Sequence, residues 1–131
     1  MEQPSSHNNF VFSDAINSQY IIDLYAGDYI MIEETFTDVL REYEGFVEKI
    51  LTSYHDNDRQ ALKSAVHKIK PLFGFVGLTG IQALCLQFEN SCMDAPDASL
   101  AESFPPLKTQ LLQAKGIIEK EKDRLEAFNS Q

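Results

Sequence analysis

The sequence has no tryptophan, two cysteines in 131 residues, and no apolar run long enough to cross a membrane. The cysteines, Cys85 and Cys92, lie seven residues apart, a spacing that favours buried thiols on one helix face over a disulfide or a metal pair. Without a signal peptide or membrane-length segment, the cytoplasm is the expected location.

Basic residues are also scarce. The chain has 11 Lys and Arg against 20 Asp and Glu, which gives a net charge of −9. This balance argues against general binding to nucleic acids or anionic membranes. With 44% apolar and 24% charged residues, the chain is long enough to bury one core. We expect a flexible tail over residues 1–12 and a single domain over 13–131.

Recognisable enzyme motifs are missing as well. There is no phosphate-binding glycine loop, and no serine or cysteine stands with a histidine in a hydrolase pattern. A di-iron bundle would need Glu three residues before a His. The residues three positions before His7, His55 and His67 are instead Pro4, Thr52 and Ser64. We therefore expect no metal, no cofactor and no kinase activity of the chain's own.

What the sequence does contain is apolar residues at helical spacing, with few glycines and prolines between them. They predict a short helix near 17–25, a long one to about residue 54, the helix that carries His67, one from residue 79, and a last one from residue 107. Short polar links join them. The pattern predicts an all-α fold, an antiparallel up-down four-helix bundle with a short extra N-terminal helix.

Several local features of these helices are also predicted. Asp28 should cap the long helix, and Asn57 or Asp58 the His67 helix. Residues 79–82 have the spacing of a capping box. Pro105 and Pro106 should interrupt a short helical piece at 98–103. Glu121 falls on the last apolar stripe, which suggests final turns that project past the core, and Phe10, Val11 and Phe12 could tuck against the bundle.

The helix around His67 has two contrasting faces. At about 100° per residue, Leu62, Val66, Ile69, Phe73 and Val76 form one stripe and His67 points nearly opposite. Around the imidazole lie basic or compact residues: Lys63, Ser64, Lys70, Pro71 and Gly74. A buried stripe should therefore hold the helix down while the imidazole stands on the wet face.

The charge near His67 departs from the rest of the chain. From residue 59 to 88 there are four basic residues, Arg59, Lys63, Lys68 and Lys70, and no acidic one. A local positive field beside an exposed imidazole would offset the charge of a phosphoryl group. On spacing alone, however, an exposed His between lysines is more often only a solvated helix face.

Residues 67–70, His-Lys-Ile-Lys, followed by Gly74 and Gly77, resemble the phosphorylation motif of histidine-containing phosphotransfer (HPt) domains. That pattern is His-x-Leu/Ile-Lys-Gly, with a small residue seven positions after the His and Gly ten positions after it. The resemblance continues into the next helix at Leu84, Cys85 and Glu89. It departs at Pro71, where the family usually has Gly, and a proline there should bend the helix beside His67.

The resemblance implies a phosphorelay intermediate. His67 would accept a phosphoryl group on Nε2 from an aspartyl phosphate and pass it to a response regulator, and a neutral imidazole is a competent nucleophile near pH 7. Lys70 would steady the phosphoryl oxygens, with Lys63 and Lys68 adding to the field and Glu89 orienting the imidazole. The partners would be receiver domains that supply their own Mg²⁺ and dock on Ser64, Pro71, Gly74 and Gly77.

Two other interpretations remain open at this point. The chain could be a helical adaptor that binds or sequesters receiver domains without phosphorylation, if Pro71 spoils the transfer. It could also be an enzyme with His67 as general base, although no companion nucleophile or acid can be named. In each case we expect a monomer.

Overall fold

The computed structural model describes residues 9–131, which form five α-helices and no strand. Their bounds are α1 Ser18–Tyr25, α2 Tyr29–His55, α3 Arg59–Phe75, α4 Thr79–Ser91 and α5 Asp97–Asn129. Within residues 9–131, no helix is both long and apolar enough to cross a membrane. The all-helical prediction is confirmed.

The four longer helices enclose one hydrophobic core. Helix α2 packs against α3 and α5, α4 packs against α3 and α5, and the short α1 rests on α2. The predicted apolar stripes supply this core; its fully buried side chains include Phe36, Tyr43, Ile69, Phe73, Leu111 and Ile118. The up-down direction of successive helices stays a prediction from the short links.

Three helices begin at a side-chain cap. The carboxylate of Asp28 accepts a hydrogen bond from the backbone N–H of Met31 at 3.0 Å, which confirms its predicted role. Asp58, rather than Asn57, caps α3. Asn57 instead has a φ of 55°, the left-handed conformation that reverses the chain between α2 and α3, and asparagine tolerates it better than most residues.

The predicted capping box at the start of α4 is wrong. Helix α4 begins one residue earlier than that motif requires, with Leu78 at the N-cap position and no side-chain cap. Thr79 is already helical, and the side chain of Gln82 lies against Gly74 of α3 instead. The tight exit from α3 at Gly77 (φ 74°) brings the two helices together at this point.

The predicted interruption at Pro105 and Pro106 is also wrong, since α5 is continuous from Asp97 to Asn129. Each proline removes one backbone N–H from the helix, which leaves the carbonyls of Ala101 and Glu102 without their helical donors. Both of these residues are exposed, so water can bond the two carbonyls. Phe104 and Leu107 are buried on either side of the prolines and hold the helix on the core.

The final turns of α5 do not project past the core, contrary to prediction. Glu121 is 1% exposed and Leu125 is fully buried, and Ser13 in the segment before α1 bonds the carboxylate of Glu121. In that segment Phe10 and Phe12 are buried and Val11 is 74% exposed. Residues 1–8 of the predicted tail lie outside the described residues, so the boundary at residue 13 stays a prediction.

Candidate functional site: an exposed imidazole held by a buried carboxylate

His67 lies in the middle of α3, and its side chain is 64% exposed. The opposite face of the helix is anchored by Leu62, Val66, Ile69 and Phe73, each 1% exposed or less. The sequence prediction of an outward-facing imidazole on a firmly packed helix is confirmed. A reactive group in this position is open to a partner while its backbone is fixed.

The carboxylate of Glu89 on α4 joins His67 to Lys70. One oxygen, Oε2, lies 2.6 Å from Nδ1 of His67, and the other, Oε1, accepts a hydrogen bond from Nζ of Lys70 at 2.7 Å. The side chain of Glu89 is only 11% exposed, and that of Lys70 is 21% exposed. The predicted residues His67, Lys70 and Glu89 therefore form one connected cluster between α3 and α4.

This geometry sets the tautomer of His67. An ionised carboxylate can only accept hydrogen bonds, so Nδ1 must carry the proton that bridges it to Glu89. In the neutral ring, Nε2 then has the free lone pair. It belongs to a mostly exposed ring, which makes Nε2 the atom available for attack on an external electrophile.

Glu89 keeps its charge although it is buried. Burial by itself raises the pKa of a carboxyl group, but the hydrogen bonds that Lys70 and His67 donate and the positive charge of Lys70 outweigh it. The net result is a pKa of Glu89 below its usual value. The carboxylate is therefore ionised at neutral pH and can hold the imidazole by a charge-assisted hydrogen bond.

The remaining basic residues divide into two groups. Lys63 and Lys68 are exposed, and neither ammonium group makes a hydrogen bond or ion pair with another residue of the described range 9–131. Arg59 is instead committed to the fold: its guanidinium donates to the carbonyls of Cys92 and Ala95 and pairs with Asp97 at 2.6 Å. Only the lysines can therefore add to the field at His67.

The predicted partner-binding residues do not all reach the surface. Ser64 and Pro71 are exposed on the His67 face. Gly74 is covered by Gln82, whose Nε2 would lie 2.8 Å from a Cβ added there. Gly77 is buried, and a Cβ added there would lie 2.5 Å from Cγ1 of Ile21. Gly77 thus allows α1 to pack on the end of α3, and its predicted place in a docking surface was wrong.

The sequence reasoning also missed an apolar cleft of about 560 Å³ among α1, α2 and α3. Leu24, Met31 and Phe75 line it and are each close to half exposed. Phe75 lies eight residues after His67, about two helical turns, so the row Ser64, His67, Pro71 and Phe75 leads from the imidazole to the cleft. That spacing was the available signal.

The two cysteines take no part in this surface. Both are free and fully buried, as the sequence predicted. Burial raises the pKa of the Cys85 thiol to about 12, with a smaller opposing effect of Lys70, so this thiol remains protonated at neutral pH. Among residues 9–131, no three His, Cys, Asp or Glu side chains are grouped to hold a metal ion.

Comparison with protein families finds a match to the model of the Hpt domain over residues 34–127. Searches of curated proteins and of solved structures each found no match for this chain. The matched range covers α3 and α4 in full and most of α2 and α5. It includes His67, Lys70 and Glu89. The chain therefore belongs to the Hpt domain family, whose members are not kinases but carry phosphoryl groups in phosphorelay signalling.

Proposed function

We propose that His67 accepts a phosphoryl group on Nε2 from the aspartyl phosphate of one receiver domain and passes it to the receiver domain of a response regulator. The observation that carries this proposal is the 2.6 Å contact between Nδ1 of His67 and Glu89. It leaves the other ring nitrogen unprotonated and exposed. Family membership supports the same reaction class, because Hpt domains exchange phosphoryl groups with receiver domains.

The geometry at His67 supports the following transfer step. The Nε2 lone pair attacks phosphorus, the new P–N bond forms as the P–O bond to the aspartate breaks, and the aspartate leaves as a carboxylate. The ring then carries the phosphoryl group on Nε2 and the original proton on Nδ1, so it is cationic. Glu89 stabilises this cation across the 2.6 Å hydrogen bond, and transfer to the next aspartate reverses each change.

Lys70 has a different part in the proposal. In the free protein its ammonium group is hydrogen-bonded to Glu89, the same carboxylate that contacts the imidazole. A phosphoryl group on Nε2 brings negative charge close to this ammonium, which can then bond a phosphoryl oxygen. The exposed Lys63 and Lys68 lower the cost of bringing that charge to the surface.

The docking face in this proposal is the row Ser64, His67, Pro71 and Phe75 together with the apolar cleft beside Phe75. The exposed side chains of the cleft offer apolar surface that a partner can bury. The surroundings of His67 are polar and offer no such surface. Gln82 covers Gly74 at the edge of this face and can swing aside, since its contact there is the end of a flexible side chain.

We also propose the location, oligomeric state and domain bounds of the protein and the source of the metal ion. The protein acts as a cytoplasmic monomer, the domain spans residues 13–131, and the receiver domain brings the Mg²⁺ that its own aspartate uses. Successive long helices run antiparallel in a four-helix bundle, so that α3 and α4 present His67 and Glu89 side by side.

The test is incubation of the purified protein with a panel of phosphorylated receiver domains. We expect label on the wild-type protein that is lost in acid and stable in base, as for an N–P bond, and no label on His67→Gln. His55→Gln is the matched control, because that imidazole is also exposed but lies at the end of α2. Equal labelling of His67→Gln would contradict the proposal. Binding of receivers without any label would favour the adaptor.

A further inference from the structure

The segment before α1 forms a strap across the bundle. We define the N-terminal strap as residues 10–17. It lies against the C-terminal part of α5 and ends at the start of α1. Phe10, Phe12 and Ile16 of the strap are 8% exposed or less, so it forms part of the core. All of the strap lies outside the range 34–127 matched by the Hpt model.

The first anchor of the strap is the ion pair of Glu121 and Arg124 on α5. Oε2 of Glu121 accepts a hydrogen bond from the backbone N–H of Ser13 at 2.7 Å, and Oε1 accepts one from Arg124 at 2.5 Å. Arg124 also donates to the carbonyl of Val11 at 2.7 Å and lies 4.7 Å from the centre of the Phe10 ring. Two side chains thus contact three residues of the strap, Phe10, Val11 and Ser13.

The second anchor joins the strap to the exit of α3. The backbone N–H of Asn17 donates to the carbonyl of Gly77 at 2.9 Å, and the side chain of Asn17 caps α1. Ile16 and Ile21 pack on Gly77, where only a residue without Cβ fits. At the other end of α1, the hydroxyl of Tyr25 donates to the carbonyl of Phe75 at 2.8 Å. Helix α1 is therefore fixed at one end to the last residue of α3 and at the other to the exit from that helix.

The strap determines the position of α1, which forms one wall of the apolar cleft. Helix α1 has eight residues, too few to be stable alone, and Leu24 and Tyr25 line the cleft from it. A strap held by apolar contacts alone could shift along α5 by one residue. The buried carboxylate of Glu121 prevents this, because it would lose its hydrogen bond from the N–H of Ser13. Glu121 and Arg124 thus fix, through the strap, the position of one wall of the cleft.

We propose that Glu121 and Arg124 are positioning residues for partner docking, which act through the N-terminal strap and α1 and do not touch the partner. This inference rests on the proposed function, since it takes the cleft as part of the receiver-docking face. It predicts a loss of partner affinity when the anchor is weakened, with unchanged reactivity of the His67 imidazole.

The experiment compares Glu121→Gln and Arg124→Gln with Glu119→Gln, a matched change at an exposed position of α5. Three readouts are taken on the full chain: amide hydrogen exchange, labelling of His67 by phosphoramidate, which needs no docking, and steady-state transfer from a phosphorylated receiver through His67 to a second receiver domain. For Arg124→Gln we expect about tenfold faster exchange in α1, since a charge-assisted hydrogen bond is lost, with unchanged exchange in α3. KM for the receiver should rise by a similar factor while kcat and phosphoramidate labelling stay the same.

Unchanged α1 exchange, or faster exchange with an unchanged KM, would overturn the inference. If Glu121→Gln opens the whole bundle, as general loss of protection would show, Arg124→Gln decides, because its side chain is 41% exposed and tolerates the change. Failure of the proposed function would look different. In that case the wild-type protein would take no label from any receiver, while the exchange data would still report the anchor.

Discussion

This molecule has two buried glutamates whose carboxylates are both fully hydrogen-bonded but hold different kinds of partner. Glu89 and Glu121 each lie on a helix surface that another segment covers, and each has both oxygens bonded, one to a cation. At Glu89 the second partner is an imidazole that is 64% exposed. At Glu121 it is the backbone N–H of Ser13. One carboxylate thus holds an exposed imidazole in place, and the other holds the segment before α1 against α5.

The difference shows that a buried charge alone does not identify a reactive site. What distinguishes Glu89 is that its partner has a second functional atom, Nε2 of His67, facing outward. The partner of Glu121 has none, because a backbone N–H is used up by its one hydrogen bond. The same substitution should therefore act mainly on stability at Glu121 and mainly on reactivity at Glu89.

Glu121→Ala should have the largest effect on stability. It removes charge-assisted hydrogen bonds and leaves the N–H of Ser13 without its acceptor, so we expect the free energy of unfolding to fall by about 2–3 kcal/mol. Urea denaturation measures it. Glu119→Ala, exposed on the same helix, should stay within about 0.5 kcal/mol of wild type. A loss of under about 0.5 kcal/mol at Glu121 would mean that the strap needs no anchor.

Glu89→Ala should mainly affect reactivity. Without the carboxylate the imidazole can rotate and change tautomer, so the rate of phosphoryl transfer to His67 should fall about 10- to 100-fold. Rapid-quench transfer assays measure this rate. Gln87→Ala, at an exposed position of the same helix, is the control and should transfer like wild type. A wild-type rate in Glu89→Ala would show that His67 is oriented by something else.

A smaller effect is expected from pH. The pKa of Glu89 is lowered in the folded protein, so the stability that its contacts contribute is present above the ordinary carboxyl pKa and is lost as pH falls through the lowered value. Unfolding of wild type and Glu89→Gln should therefore differ most near neutral pH and converge in acid. A gap that stays constant down to pH 3 would contradict the assigned charge of Glu89.

The helices and the His67 face were predictable because their signals are local. Apolar spacing and caps such as Asp28 and Asp58 depend on residues within a few positions of each other. The motif around His67 also lies within one helix and its exit. Even the pairing with Glu89, 22 residues away, followed from the family resemblance.

Apart from the capping box at the start of α4, the errors concern features that depend on distant contacts. Helix α5 continues through Pro105 and Pro106 because buried side chains on both sides hold it on the core. Glu121 looked like the end of the core because its partner, Ser13, is 108 positions away. Gly77 resembled part of a docking surface, but α1 covers it. Periodicity along one segment carries no information about what another segment will cover.

The central claim is that Glu89 holds the proton on Nδ1 and leaves Nε2 to react. It is tested most directly by NMR of the protein labelled with ¹⁵N at histidine, before and after phosphorylation. We expect a protonated Nδ1 in the free protein, and after phosphorylation a phosphorus coupling to Nε2 of His67 with the Nδ1 proton still present. A phosphoryl group on Nδ1, or a free protein with the proton on Nε2, would contradict the account.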